Sequence, residues 1–204
     1  MAKTRSILFI AVLALAAALT GALVARQLAR PTVTMTAGTW FPEARPVRDF
    51  SLIDQDGAAF DLSKLQGSPS LLFFGFTHCP DVCPTTLALL AQLDRNPPVP
   101  DLRTVLVTVD PQRDDAASLK RYVGAFSPRM IGLTGDDAQL DLLMTQLGAA
   151  RVRQPGVGDD YLVDHSATVY LLDRNARLVA VFTPPLTLPA LRADLAAAAS
   201  ALEH

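Results

Sequence analysis

Ser70-Leu71-Leu72-Phe73-Phe74-Gly75 runs without a break into Phe76-Thr77-His78-Cys79-Pro80-Asp81-Val82-Cys83-Pro84, and Thr85-Thr86-Leu87-Ala88-Leu89-Leu90 follows directly. The first segment is a continuous apolar run, as expected of a strand covered on both faces. The last has helical spacing, with Pro84 in a first turn where its missing N–H leaves no bond unmade. Between strand and helix stand the only two cysteines of the chain. If both lie in one helical turn, their Cα atoms fall about 6 Å apart, within reach of a disulfide. The same pair can therefore be oxidised or can chelate a metal. Cys83, close to the helix N-terminus, is expected to have its thiolate favoured by the free N–H groups and the dipole there.

Outward from this stretch the chain has the pattern of one α/β domain. Phe50 to Asp54 and Ala59 to Leu62 flank an Asp56-Gly57 turn and form an N-terminal hairpin, with a short helical turn ending near Gly67. Thr104 to Val109 is a second buried strand, and helices are expected from about Asp115 to Phe126 and from Asp136 to Leu147, the latter stopped by Gly148. Strand, helix, strand, helix order predicts a parallel central pair with helices on the faces. Ala149 to Asp164, around Pro155-Gly156-Val157-Gly158, reads as a protruding hairpin or loop that delivers Asp164-His165. Its proline and glycine content suits a segment able to move His165. Thr168 to Leu172 and Leu178 to Phe182 make an antiparallel hairpin that closes the sheet, and Thr187 caps a last helix to about Leu202.

At 204 residues, half of them apolar, the chain can bury one good core. A net charge of -2 gives no basic footprint for nucleic acid. Two cysteines exclude a disulfide-stapled scaffold and a four-cysteine zinc site. Ahead of the domain, Ile7 to Ala25 is uncharged and nearly all apolar. About 20 such residues cross a bilayer core as a helix, so residues 1–26 are expected to be a membrane anchor, the alternative being a cleaved signal segment. Residues 27–47, with three prolines, read as a linker, and 48–204 as the domain.

Two thiols need further donors, and His165 is placed to supply one. Two thiolates and an imidazole form a soft, low-coordination set suited to copper(I) and compatible with copper(II), whereas zinc would want a fourth ligand. Asp81 and Asp164 are candidate supporting groups, with turn or capping roles as the alternative. Strand alternation points His78 away from Cys79, and His204 is terminal. Asp110, Arg113 and Asp114 could form a docking or acid/base site, or simply a turn and helix cap. Phosphate loops, nucleophile elbows and H-E-x-x-H helices are absent from the sequence.

Gly75 to Thr85, Val109-Asp110-Pro111-Gln112-Arg113-Asp114, and Asp164-His165-Ser166 before Tyr170-Leu171 together resemble the Sco/SenC family over roughly Gly38 to Leu202. The resemblance implies a thioredoxin-like three-layer sandwich with a central mixed sheet, an N-terminal hairpin and an inserted hairpin, preceded by one transmembrane helix. It implies copper bound by Cys79, Cys83 and His165, and delivered to the dinuclear copper centre of cytochrome c oxidase during assembly. The implied partners are the oxidase's copper-carrying subunit and other periplasmic copper carriers. The implied location is the inner membrane, single-pass, with the domain facing the periplasm. The alternative is a thiol-disulfide oxidoreductase, with Cys79 and Cys83 as a redox pair that reduces the oxidase's copper-ligand cysteines. The chain departs from ordinary thioredoxins in having three residues between its cysteines and Ser166-Ala167-Thr168 where a cis-proline would be expected.

Overall fold

The computed structural model describes residues 10–22, 33–156 and 161–203. The chain divides into two compact units, Met1–Thr32 and Val33–His204. In the first, residues 10–22 are helical (α1). The expected membrane-spanning run extends past them at both ends, outside the described residues, as do residues 27–32 of the expected linker. No helix of the described residues is long and apolar enough to cross a membrane.

The second unit is built on an eight-stranded mixed sheet of order β1-β10-β9-β4-β5-β6-β2-β3. At its centre β4 (Ser70–Gly75) pairs in parallel with β5 (Arg103–Thr108), and β5 with β6 (Ile131–Thr134). Every residue of β4 is buried, so layers cover both of its faces. β2 (Ser51–Asp54) and β3 (Ala59–Asp61) form the expected hairpin, joined to β6, with the short helix α2 (Leu62–Leu65) after it. β9 (Val169–Leu172) runs antiparallel to β4, and β10 (Arg177–Phe182) antiparallel to β9. Helices α3 (Val82–Arg95), α4 (Ala116–Phe126), α5 (Asp137–Leu147) and α6 (Leu188–Leu202) turn buried leucines such as Leu87, Leu119, Leu143 and Leu195 into the common core.

Two features differ from expectation. The region read as linker contains β1 (Gly38–Pro46), which pairs antiparallel with β10 as an edge strand. Its prolines misled the reading, yet an edge strand tolerates proline because one row of its N–H groups faces no neighbour. The domain therefore starts well before residue 48, and Trp40 and Phe41 pack against its core. β6 was also missed: Ile131-Gly132-Leu133-Thr134 is too short to show periodicity between Pro128 and Gly135.

After α5 the chain turns through Gly148, at φ 73 a left-handed cap suited to glycine, into a two-stranded antiparallel sheet. This is β7 (Arg151–Arg153) with β8 (Val163–His165), the inserted hairpin. The turn expected at its tip lies partly outside the described residues.

The start of β1 is held by a single side chain of α6. Asp194 accepts from the backbone N–H of Thr36, Ala37 and Gly38, each at 2.8 Å, and from Thr36 Oγ1 at 3.0 Å. Burial pushes its carboxyl pKa up, but these bonds outweigh it and the net shift is downward. Asp194→Asn places an NH2 group against two backbone donors and should cost about 1–3 kcal/mol in urea unfolding. Because the folded pKa lies below the unfolded value of about 3.9, the contribution is full above that value and fades as pH falls through the folded one. The difference between wild type and variant should therefore shrink in acid; a pH-independent difference would refute the carboxylate's role.

Candidate metal centre

The cysteine loop begins where β4 ends, and Gly75 makes room for it. A Cβ there would lie 3.0 Å from both Cys83 Sγ and the Phe73 ring, so a larger residue would press on the sulfur and the ring. The loop is fixed by Thr77, whose N–H and hydroxyl both donate to the buried carboxylate of Asp114, at 3.0 and 2.5 Å. Thr108 Oγ1 donates to the same carboxylate at 2.6 Å. Cys79 N–H bonds Phe76 O, and α3 starts three residues later at Val82.

Cys83 is fully buried and Cys79 half-buried, both free thiols. Cys83 N–H donates to Cys79 Sγ at 3.4 Å. The free donor at the helix start therefore supports Cys79, not Cys83 as expected. Burial, and then the neighbouring Cys79 sulfur, push the Cys83 thiol far above its ordinary range. Desolvation outweighs the helix dipole at this sulfur.

His165 completes the group. Its Nε2 lies 3.3 Å from Cys83 Sγ, and one donor atom from each of Cys79, Cys83 and His165 lies within 4.8 Å of the others. Register explains the meeting. β9 is antiparallel to β4 with Phe73 opposite Val169, so the residues just before β9 must sit past the end of β4, above the cysteines. The ring stands edge-on to Phe73 and Phe76, with centroids 5.9 Å away in both cases. His165 Nδ1 is 3.1 Å from Ser166 O. A carbonyl can only accept, so Nδ1 carries the proton and the Nε2 lone pair faces the sulfurs. Burial lowers the imidazole pKa and favours this neutral form. Two sulfurs and one neutral imidazole nitrogen are a donor set for a soft metal ion, already oriented for one.

The other sequence candidates lie outside this triangle. His78 is exposed, its Nδ1 bonded to Thr77 Oγ1 at 2.9 Å. Asp164 accepts from Gln154 across the hairpin, and Asp81 stands at the start of α3 without capping it. Asp110 is buried, accepting from Arg113 Nε and, at 2.7 Å, from Tyr161 OH. Asp115, not Asp110 or Asp114, caps α4. Tyr161 and Arg153, absent from the sequence-based candidates, complete that cluster; a single tyrosine in a hairpin carries no spacing signal. His204 lies outside the described residues. Around the triangle, Phe76, Pro80, Val82 and Leu162 line an open depression that reaches Cys79 and His165.

A family profile described as SCO1/SenC matches residues 42–200. The chain belongs to the SCO1/SenC family. Among SCO1/SenC relatives, the SCO2-like protein of Rickettsia conorii is 41% identical over 138 residues, 66% of this chain and 67% of that one. The mitochondrial SCO2 homolog of Homo sapiens is 42% identical over 130 residues, 61% of this chain and 49% of its own length. Among solved structures, Bradyrhizobium japonicum ScoI with copper bound is 36% identical with a TM-score of 0.66, covering 78% of this chain and 98% of that one. Apo Sco1 of Thermus thermophilus is 34% identical with a TM-score of 0.70, covering 84% and 98%. The similarity to solved Sco structures bears out the mixed, thioredoxin-like sheet that the family resemblance implied.

Exposure separates the two thiols, and burial holds that of Cys83 protonated. Iodoacetamide at mildly alkaline pH should alkylate Cys79 first and leave Cys83 largely unmodified until the protein unfolds, as read by peptide mass mapping. Preferential labelling of Cys83 would contradict the geometry.

Proposed function

We propose that this protein is a copper carrier that serves the assembly of cytochrome c oxidase, with Cys79, Cys83 and His165 as the copper ligands. The convergence of two sulfurs and one correctly oriented imidazole within 4.8 Å carries the reading. Family membership and the copper-bound ScoI structures of Bradyrhizobium japonicum and Arabidopsis thaliana support copper as the cargo.

Loading releases the thiol protons of Cys79 and Cys83, while His165 is already neutral and contributes its lone pair without a proton change. The buried sulfur of Cys83 and the nitrogen of His165 form the inner wall of the site. Cys79, half-buried, is the ligand an acceptor group can reach first. Hand-over then proceeds by ligand exchange beginning at Cys79, with the copper-carrying subunit of the oxidase as acceptor. Oxidation of Cys79 and Cys83 to a disulfide removes both thiolates and closes the site to copper.

A second reading keeps the same pair as a dithiol that reduces the oxidase's copper-ligand cysteines. Cys79, the less buried of the two residues, with Cys83 beneath it as resolving thiol, favours it. Against it stand the burial of Cys83, which holds the second thiol protonated, and Ser166-Ala167-Thr168 in the place of a substrate-docking cis-proline. His165 separates the two readings, because dithiol exchange does not need it.

In the full chain, purified in detergent and reduced, copper(I) should bind one to one in competition with a chromophoric chelator. His165→Ala should weaken binding by more than the about 10–100-fold that loss of a supporting group costs, with thiol-disulfide exchange nearly intact. The oxidised protein should not bind. Oxidase assembly that survived His165→Ala would overturn the carrier reading and leave the reductase one.

We place the protein in the inner membrane, held by residues 7–25 with the domain in the periplasm. The apolar run and the family's usual layout support this, and periplasmic copper carriers are then the natural donors. The full chain should stay with membranes through carbonate extraction, and protease added to spheroplasts should digest the domain. Release by carbonate, or protection from protease, would remove this placement.

A further inference from the structure

His165 reaches the cysteines on a hairpin, and the hairpin needs an attachment to the domain near that residue. Among the described residues, Asp164, its immediate neighbour, bonds within the hairpin, to Gln154. Backbone bonds such as Gln154 N–H to Leu162 O and Ser166 N–H to Ala150 O hold the hairpin together, but they do not position it over Cys83. Two side chains tie the hairpin to the rest of the domain: Arg151, opposite His165 in register, donates to Val109 O at 2.7 Å and to Asp137 and Asp141 of α5, and Tyr161, two residues before β8 and buried, reaches the loop after β5. Its hydroxyl donates to Asp110 Oδ1 at 2.7 Å, and the Arg113 guanidinium lies 3.6 Å from the ring centroid. Arg113 also donates to Asp110, so hydroxyl, carboxylate and guanidinium form a closed unit on the loop after β5. From the hairpin side, the Arg153 guanidinium lies 3.7 Å from the same centroid and donates to Gln112 Oε1 at 2.5 Å. Two guanidinium groups at these distances cannot share one face, so the ring is clamped between them, one from each partner segment.

We propose that Tyr161 is a positioning residue, which through Asp110 and Arg113 sets the placement of His165 Nε2 over the two thiols and thereby the strength and geometry of metal binding. The proposal rests on the copper reading for its consequence but not for its geometry. Tyr161 touches none of the three donor atoms, and its effect passes through Leu162 and the three residues of β8 to His165. The hydroxyl contributes direction and the ring contributes packing, and the two can be removed in turn.

The test uses the full chain in detergent, with Tyr161→Phe, which keeps the clamped ring, and Tyr161→Leu, which removes it. Copper(I) affinity should fall about tenfold in the first and toward about a hundredfold in the second, the range expected for groups that orient a metal ligand. In the metal-free protein, proton contacts between the His165 ring and the rings of Phe73 and Phe76 should weaken in the same order, as read by NMR. Leu191→Ala, a core substitution in α6 remote from the hairpin, controls for general loss of stability and should leave both readouts unchanged. Wild-type affinity and ring contacts in both Tyr161 variants would overturn the proposal, as would equal losses in Leu191→Ala. If the wild type bound no copper, the copper reading would fall, and the ring contacts in the metal-free variants would still decide whether Tyr161 places His165.

Discussion

The contact of Cys83 Sγ with His165 Nε2 joins segments 82 residues apart, and most of the fold can be understood as what that contact requires. Neither side chain could hold the other in a flexible chain, because ordering the intervening residues costs far more than one sulfur–nitrogen contact returns. The sheet supplies the order. β4 ends at Gly75, and antiparallel pairing forces β9 to begin beside that end. The site is thus built at the carboxyl end of a central parallel strand, where loops from several elements converge.

Burial gives the two sulfurs different work. Cys83 lies under the domain surface against Gly75, in a space that a side chain at residue 75 would crowd. A thiol there is costly to ionise alone, and the cost is offset when a cation arrives with the thiolate. Cys79 keeps its access to solvent and also receives the Cys83 N–H, the one helix-start donor directed at a sulfur. An inner sulfur that resists ionisation and an outer one nearer solvent are consistent with the hold-and-release role proposed for the site.

What the sequence made legible was local and strongly patterned. β4, the two thiols, the helix after them and the N-terminal hairpin all followed from uninterrupted runs or turn residues. His165 was legible as a donor of the right chemistry on a hairpin that could reach the cysteines, but the antiparallel register that seats it carries no sequence signal. β1 was hidden because Pro42 and Pro46 weigh against a strand, although an edge position removes the objection. β6 was hidden by its four residues. The expectation for the Cys83 thiolate failed for a different reason: sequence shows nearness to a helix start but not depth, and depth decided the protonation state.

The segment Asp110-Pro111-Gln112-Arg113-Asp114 looked chemical in the sequence, yet neither carboxylate belongs to the donor triangle. Asp114 holds the cysteine loop through Thr77, while Asp110 meets the histidine hairpin through Tyr161. Backbone bonds from Arg113 and Asp114 N–H to Asp110 O close these residues into one tight turn, so the two carboxylates keep a fixed separation. A turn of five residues after β5 is therefore the common reference for both halves of the site. Its two carboxylates are buried because each is bonded, and a buried carboxylate is tolerated only on that condition. The density of such residues in so short a stretch reflects the alignment of two loops, and a reader of the sequence alone sees charge without seeing what it aligns.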